Sequence, residues 1–70
     1  MNHIKRLRTN ANYKTSEKAS EALGISSSLM RKLECGIKRP SIDLAFRMTE
    51  KFNCSLEDIF LPYKSLKVTN

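Results

Sequence analysis

One glycine limits what this chain can become. Gly24 stands between two short helical patterns in the stretch Thr15 to Gly36, which reads TSEKASEALGISSSLMRKLECG. A tight turn from helix to helix needs a residue in the left-handed backbone region, and glycine reaches it without steric cost. Before the glycine, Thr15 is an N-cap for a helix over Ser16 to Leu23. Its narrow apolar face is Ala19, Ala22 and Leu23, and Glu17 in the first turn complements the helix dipole. After it, Ser26 caps a helix from Ser27 to about Cys35, which Gly36 ends. Met30 and Leu33 are expected to point to a core, with Ser27, Ser28, Arg31 and Lys32 on most of the other side. Ile25 is apolar at a turn, so the turn itself should be packed.

Helical patterns flank this stretch on both sides. Asn2 is a cap for a helix through Ala11, with Ile4, Leu7 and Ala11 on one face and Lys5, Arg6 and Arg8 largely off it. Asn12 follows where the chain must turn, and Asn tolerates the left-handed conformation. Ile37-Lys38-Arg39-Pro40 reads as a loop, because Pro40 disfavours helix at Arg39. Ser41 caps a fourth helix, Ile42 to Phe52, with a stripe of Ile42, Ala45, Met48 and Phe52 and with Asn53 as terminator. Ser55 and Asp58 have the spacing of a capping box. A short fifth helix is expected over Leu56 to Leu61, burying Leu56 with Ile59 or Phe60, and Pro62 should end it. The expected domain is residues 1–61, all-α and five-helical, followed by a tail over 62–70 that is either frayed or in contact with a second copy.

Composition agrees with a small helical domain that meets a polyanion. Seventy residues suffice for one domain, and two glycines with two prolines favour helices over a turn-rich β fold. Thirteen Lys and Arg against seven Asp and Glu leave a net charge of +6, most simply matched by nucleic acid. Cys35, Cys54 and the single histidine, His3, do not have a metal-ligand spacing, so neither a metal nor a cofactor is expected. No apolar run is long enough for a signal peptide or membrane span, so two reduced thiols and a cytoplasmic location are expected. No nucleophile–base pair or phosphate-binding glycine loop is present, so the chain is not expected to be an enzyme.

From Ile4 to Phe60 the pattern resembles the phage-repressor and Cro-type helix-turn-helix family, also called the xenobiotic-response-element family. Ala22-Leu23-Gly24-Ile25-Ser26 resembles the end of that family's second helix and its turn. Leu33-Glu34-Cys35-Gly36 resembles its Leu-Glu-x-Gly signature, and Pro40-Ser41-Ile42 the start of its fourth helix. Ser55-Leu56-Glu57-Asp58-Ile59-Phe60 resembles its last helix. The chain departs from the pattern at Ala19, where a larger apolar residue is usual, and at Ser20, where Ala is usual. It departs again at Ser16, where Gln is common, and at Ile37, which is often basic.

The resemblance implies that the third helix enters the major groove of double-stranded DNA with its N-terminus inward. Ser26, Ser27 and Ser28 would let the backbone approach the bases, with Ser26 first of all a cap. Arg31 is the preferred base reader and Lys32 the next; the alternative is that both hold phosphates. Ser16 and Glu17 lie at the amino end of the second helix, whose amide groups can meet a phosphate, and the loop pair Lys38 and Arg39 is expected on phosphates, with Lys14 adjacent. Leu29 has three readings: contact with a thymine methyl, contact with a partner, or a lone exposed leucine. Glu34 would repel DNA if it pointed outward, and the resemblance implies an ion pair with Arg8 instead.

The expected function is a sequence-specific transcriptional regulator of the repressor type, a homodimer on a two-fold operator, with no small-molecule ligand. The alternative is an antitoxin-like or anti-regulator module that holds a protein partner, motivated by Leu29 and the tail Tyr63 to Val68.

Overall fold

Four helices of this chain are closed by the same backbone device. The computed structural model describes the backbone of residues 3–67 and the side chains of residues 3–63. The elements are α1 (His3–Asn10), α2 (Ser16–Leu23), α3 (Ser27–Cys35), α4 (Ile42–Phe52) and α5 (Leu56–Lys67). Just past α1 to α4 stand Asn12, Gly24, Gly36 and Asn53, all left-handed, with φ of 71°, 73°, 81° and 55°. The next residue then donates its N–H to the carbonyl five positions back: Tyr13 to Arg8, Ile25 to Ser20, Ile37 to Lys32 and Cys54 to Thr49, at 3.0–3.2 Å. Carbonyls that the helix leaves unpaired are satisfied this way, and the chain is turned sharply for the next element. The residue after each left-handed position is apolar. Tyr13, Ile25 and Cys54 pack against the core, whereas Ile37 is 72% exposed.

Helix starts are equally local. Thr15, Ser26 and Ser41 each accept a hydrogen bond from the amide three residues on, at 3.1–3.2 Å. Ser55 and Asp58 form both bonds of a capping box, 3.1 Å and 3.0 Å. The expected cap of α1, Asn2, lies outside the described residues.

The core is drawn from all five helices. Ile4, Ala19, Met30, Leu33, Ala45, Met48 and Ile59 are wholly inaccessible, and Leu23, Leu44, Phe52 and Tyr63 nearly so. Complete burial of an Ile, Leu or Met side chain contributes about 1.5–3 kcal/mol. α2 packs chiefly on α3, with α4 and α1 behind them, and α5 closes the far side against α1 and α4. Met30 and Leu33 therefore fix α3 from beneath while its other side faces solvent.

Two expectations are corrected. Ile42 does not belong to the buried stripe of α4; it is 58% exposed, and Leu44 is buried at 6%. At 100° per residue the centre of Leu44, Ala45, Met48 and Phe52 lies roughly 100° away from Ile42. Phe46 falls still further round and is 53% exposed. Secondly, α5 does not stop at Leu61 but continues through Pro62 to Lys67. Proline removes an interior amide donor, which normally disfavours a helix. Here tertiary contacts hold the segment: Tyr63 is buried at 8%, meets the His3 ring edge to face at 4.9 Å, and carries the Arg39 guanidinium 5.0 Å from its ring centre. His3 Nε2 also donates to the Ile59 carbonyl at 2.8 Å, tying α1 to α5. The pairing considered for the tail side chains beyond Tyr63 lies outside the described residues.

Candidate nucleic-acid interface

The outer side of α3 follows from its inner side. Burial of Met30 and Leu33 leaves Ser28, Arg31, Lys32 and Cys35 exposed, at spacings of three and four along one helical face. Ser27 is half-buried. Ser26 is exposed, and its Oγ accepts from the Leu29 amide at 3.1 Å, so the hydroxyl serves as the cap. Leu29 is half-buried and packs against the core, so it is not a lone exposed leucine.

Arg31 is not a free cation. Its NH2 meets Glu17 Oε2 at 2.5 Å, joining the middle of α3 to the first turn of α2, with side chains 62% and 55% exposed. A hydrogen bond from its own backbone amide, together with the Arg31 guanidinium, holds the Glu17 carboxyl below the usual carboxylate range. The amino end of α2 is thus already occupied by a carboxylate. Sequence spacing gives no sign of this pair, because the two residues sit on different helices whose relative placement depends on the Gly24 turn.

Ser16 faces inward. It is half-buried, and its Oγ donates to Glu34 Oε1 at 3.0 Å. The other oxygen, Oε2, lies 2.8 Å from Arg8 Nε, and the two side chains are only 6% and 9% exposed. Arg8 NH1 also donates to the Tyr13 carbonyl at 2.8 Å. Glu34 thereby sits in a network that joins α1, the turn after it, α2 and α3, with its charge compensated and turned from the outer face. A buried carboxylate requires such partners, since an uncompensated one costs several kcal/mol.

Lys38 and Arg39 are both exposed in the loop after α3, and Lys14 is exposed just before α2. Arg39 differs from Lys38 in resting over the Tyr63 ring, which positions its guanidinium. Burial pushes the Tyr63 phenol up, and nearby Arg39 offsets part of that.

A residue that helix periodicity does not single out completes the hinge. Arg47 NH1 donates to the Leu23 carbonyl at 3.0 Å, pinning the last turn of α2 to α4. No helix among the described residues is long and apolar enough to cross a membrane, and no group of His, Cys, Asp and Glu among them is placed to hold a metal. Cys35 and Cys54 are free thiols. Burial, with Asp58 nearby, pushes the Cys54 thiol up.

Comparison with known proteins agrees with this architecture. A family model described as helix-turn-helix matches residues 4–59, from the first buried side chain of α1 to the buried isoleucine of α5. No curated protein and no solved structure matches the chain. With α2, the Gly24 turn and α3 in place on a common core, the chain belongs to the xenobiotic-response-element (Cro and repressor type) helix-turn-helix family of DNA-binding regulators.

Proposed function

We propose that the chain is a sequence-specific transcriptional regulator of the repressor type that places α3 in the major groove of duplex DNA. The observation that carries this reading is the division of α3: Met30 and Leu33 are wholly buried, while Ser28, Arg31 and Lys32 stand exposed on the opposite side. A helix held rigidly from beneath presents its outer side chains at fixed heights, which reading base edges requires. Lys14, Lys38 and Arg39 supply cations on either side of α3 in sequence for the phosphate backbone. With about three phosphates neutralised per subunit, log K should fall against log salt with a slope of roughly −3.

One domain of this size reads only a few base pairs. Two copies on a two-fold operator, with half-sites about 34 Å apart, supply the missing specificity. The protein acts in the cytoplasm as a binding protein and not as a catalyst, without an effector ligand. The alternative of a protein-holding module loses one of its supports, because Leu29 packs against the core.

The test is duplex binding by a variant with Arg31, Lys32, Lys38 and Arg39 all changed to Ala. The variant should stay folded, with a thermal midpoint lowered by a few degrees through loss of the Arg39–Tyr63 contact, while affinity falls by at least a hundredfold at moderate salt. Retained affinity in a folded variant would remove the proposed surface.

A further inference from the structure

We propose that Glu17 is a specificity-determining residue: its carboxylate positions Arg31 for a base edge and withholds that charge from the phosphate backbone. The inference rests on the DNA-reading function above and deepens it.

Three observations carry it. The Glu17–Arg31 pair joins the two helices of the reading unit, yet both side chains are more than half exposed. Ion pairs this exposed contribute little to stability, so the helix dipole accounts for an acid in this turn but folding does not account for its pairing with Arg31. Next, Glu17 is the acidic residue of the first turn of α2. Free amides at a helix start attract phosphate, but a phosphate arriving here meets a negative charge. Finally, Glu17 engages one guanidinium nitrogen, NH2, of a group that carries five N–H donors. Donors remain for a guanine O6 and N7 while the pair stays intact.

The two possible targets of Arg31 are therefore unequal. Against a neutral guanine edge, Glu17 fixes the fork and opposes nothing. Against a phosphate, the guanidinium must either leave Glu17 or bring two anions together. The acid thus penalises the sequence-independent contact more than the sequence-dependent one, which is how a repulsive element creates specificity.

The experiment compares wild type, Glu17→Gln, Arg31→Ala and the double variant on two duplexes: a site selected by the wild type from random DNA, and an unrelated sequence of equal length. Glu17→Gln keeps the side-chain size and removes the charge. It should raise affinity for the unrelated duplex several-fold, steepen the salt slope by about 0.9, and lower the ratio of specific to unrelated binding roughly tenfold. Selection with Glu17→Gln should lose preference at one base pair of each half-site. In the Arg31→Ala background the same change should do none of this, because the effect passes through Arg31. Equal gains on both duplexes, or a gain that survives Arg31→Ala, would reduce Glu17 to general repulsion and overturn the inference while leaving DNA reading intact. A wild type that selects no site overturns both.

Discussion

Arg47 of α4 donates from NH1 to the carbonyl oxygen of Leu23, 3.0 Å away, at the last turn of α2. That carbonyl is one of those a helix end leaves without an internal partner, so the bond closes the helix from outside. It also fixes the hinge that sets α3 relative to α2. Arg47→Met keeps most of the stem and removes the donor. It should cost about 1.5–3 kcal/mol, typical of a bond from a charged donor. Thermal unfolding followed by circular dichroism measures this, at roughly 4–8 °C per kcal/mol for a domain of this size. An unchanged midpoint would mean that the bond does not hold the hinge.

Gly24 is constrained by backbone and not by space. A Cβ placed there would meet Arg47 NH1 at 3.8 Å, an ordinary contact, but φ is +73°. Gly24→Ala should therefore destabilise by about 1–2 kcal/mol, the left-handed penalty of an L-residue. Asn53→Gly, at φ 55°, should act in the opposite direction. Denaturant midpoints of the two variants should move in opposite senses at equal m; a shift in the same sense contradicts the backbone account.

The Arg8–Glu34–Ser16 network predicts an ordered series. Glu34→Ala leaves Arg8 buried without its counter-charge and should cost about 3–5 kcal/mol. Ser16→Ala removes one bond to a charged acceptor and should cost about 1–3 kcal/mol. Replacing both charges, Arg8→Met with Glu34→Leu, should recover much of the loss, because no charge is then left buried. Urea titrations give the order, and a Glu34→Ala variant with the wild-type midpoint would remove the network from the account.

Tyr63 tests the length of α5. Its ring is buried between His3 and Arg39, and its hydroxyl has no hydrogen-bond partner among the described residues. Tyr63→Phe should be neutral within about 0.5 kcal/mol. Tyr63→Ala should cost about 2–4 kcal/mol and reduce helicity, since the ring is what holds the helix past Pro62. Equal stability of the two variants would place the packing elsewhere.

These residues also show how far the sequence could be read. Helix starts at Thr15, Ser26, Ser41 and Ser55, and ends at Asn12, Gly24, Gly36 and Asn53, are local chemistry and were legible in order along the chain. Pro62 misled, because local propensity argues for a stop and only the packing of Tyr63, from another turn of α5 onto α1 and the loop, reverses it. Ile42 misled because three-residue spacing drifts round a helix of 3.6 residues per turn. At the interface, the exposure of Ser28, Arg31 and Lys32 followed from the period of α3. The partners of Ser16, Arg31 and Leu23 did not, since Glu34, Glu17 and Arg47 come from other helices and meet them only after folding.

Selection of bound sites from random duplex DNA, followed by footprinting of the enriched sequence, tests the central claim most directly. The account predicts a motif with two-fold symmetry, half-sites centred one helical turn (about 10–10.5 base pairs) apart, and major-groove protection that changes when Arg31 or Lys32 is replaced. Failure of the folded wild-type chain to enrich any motif would contradict it.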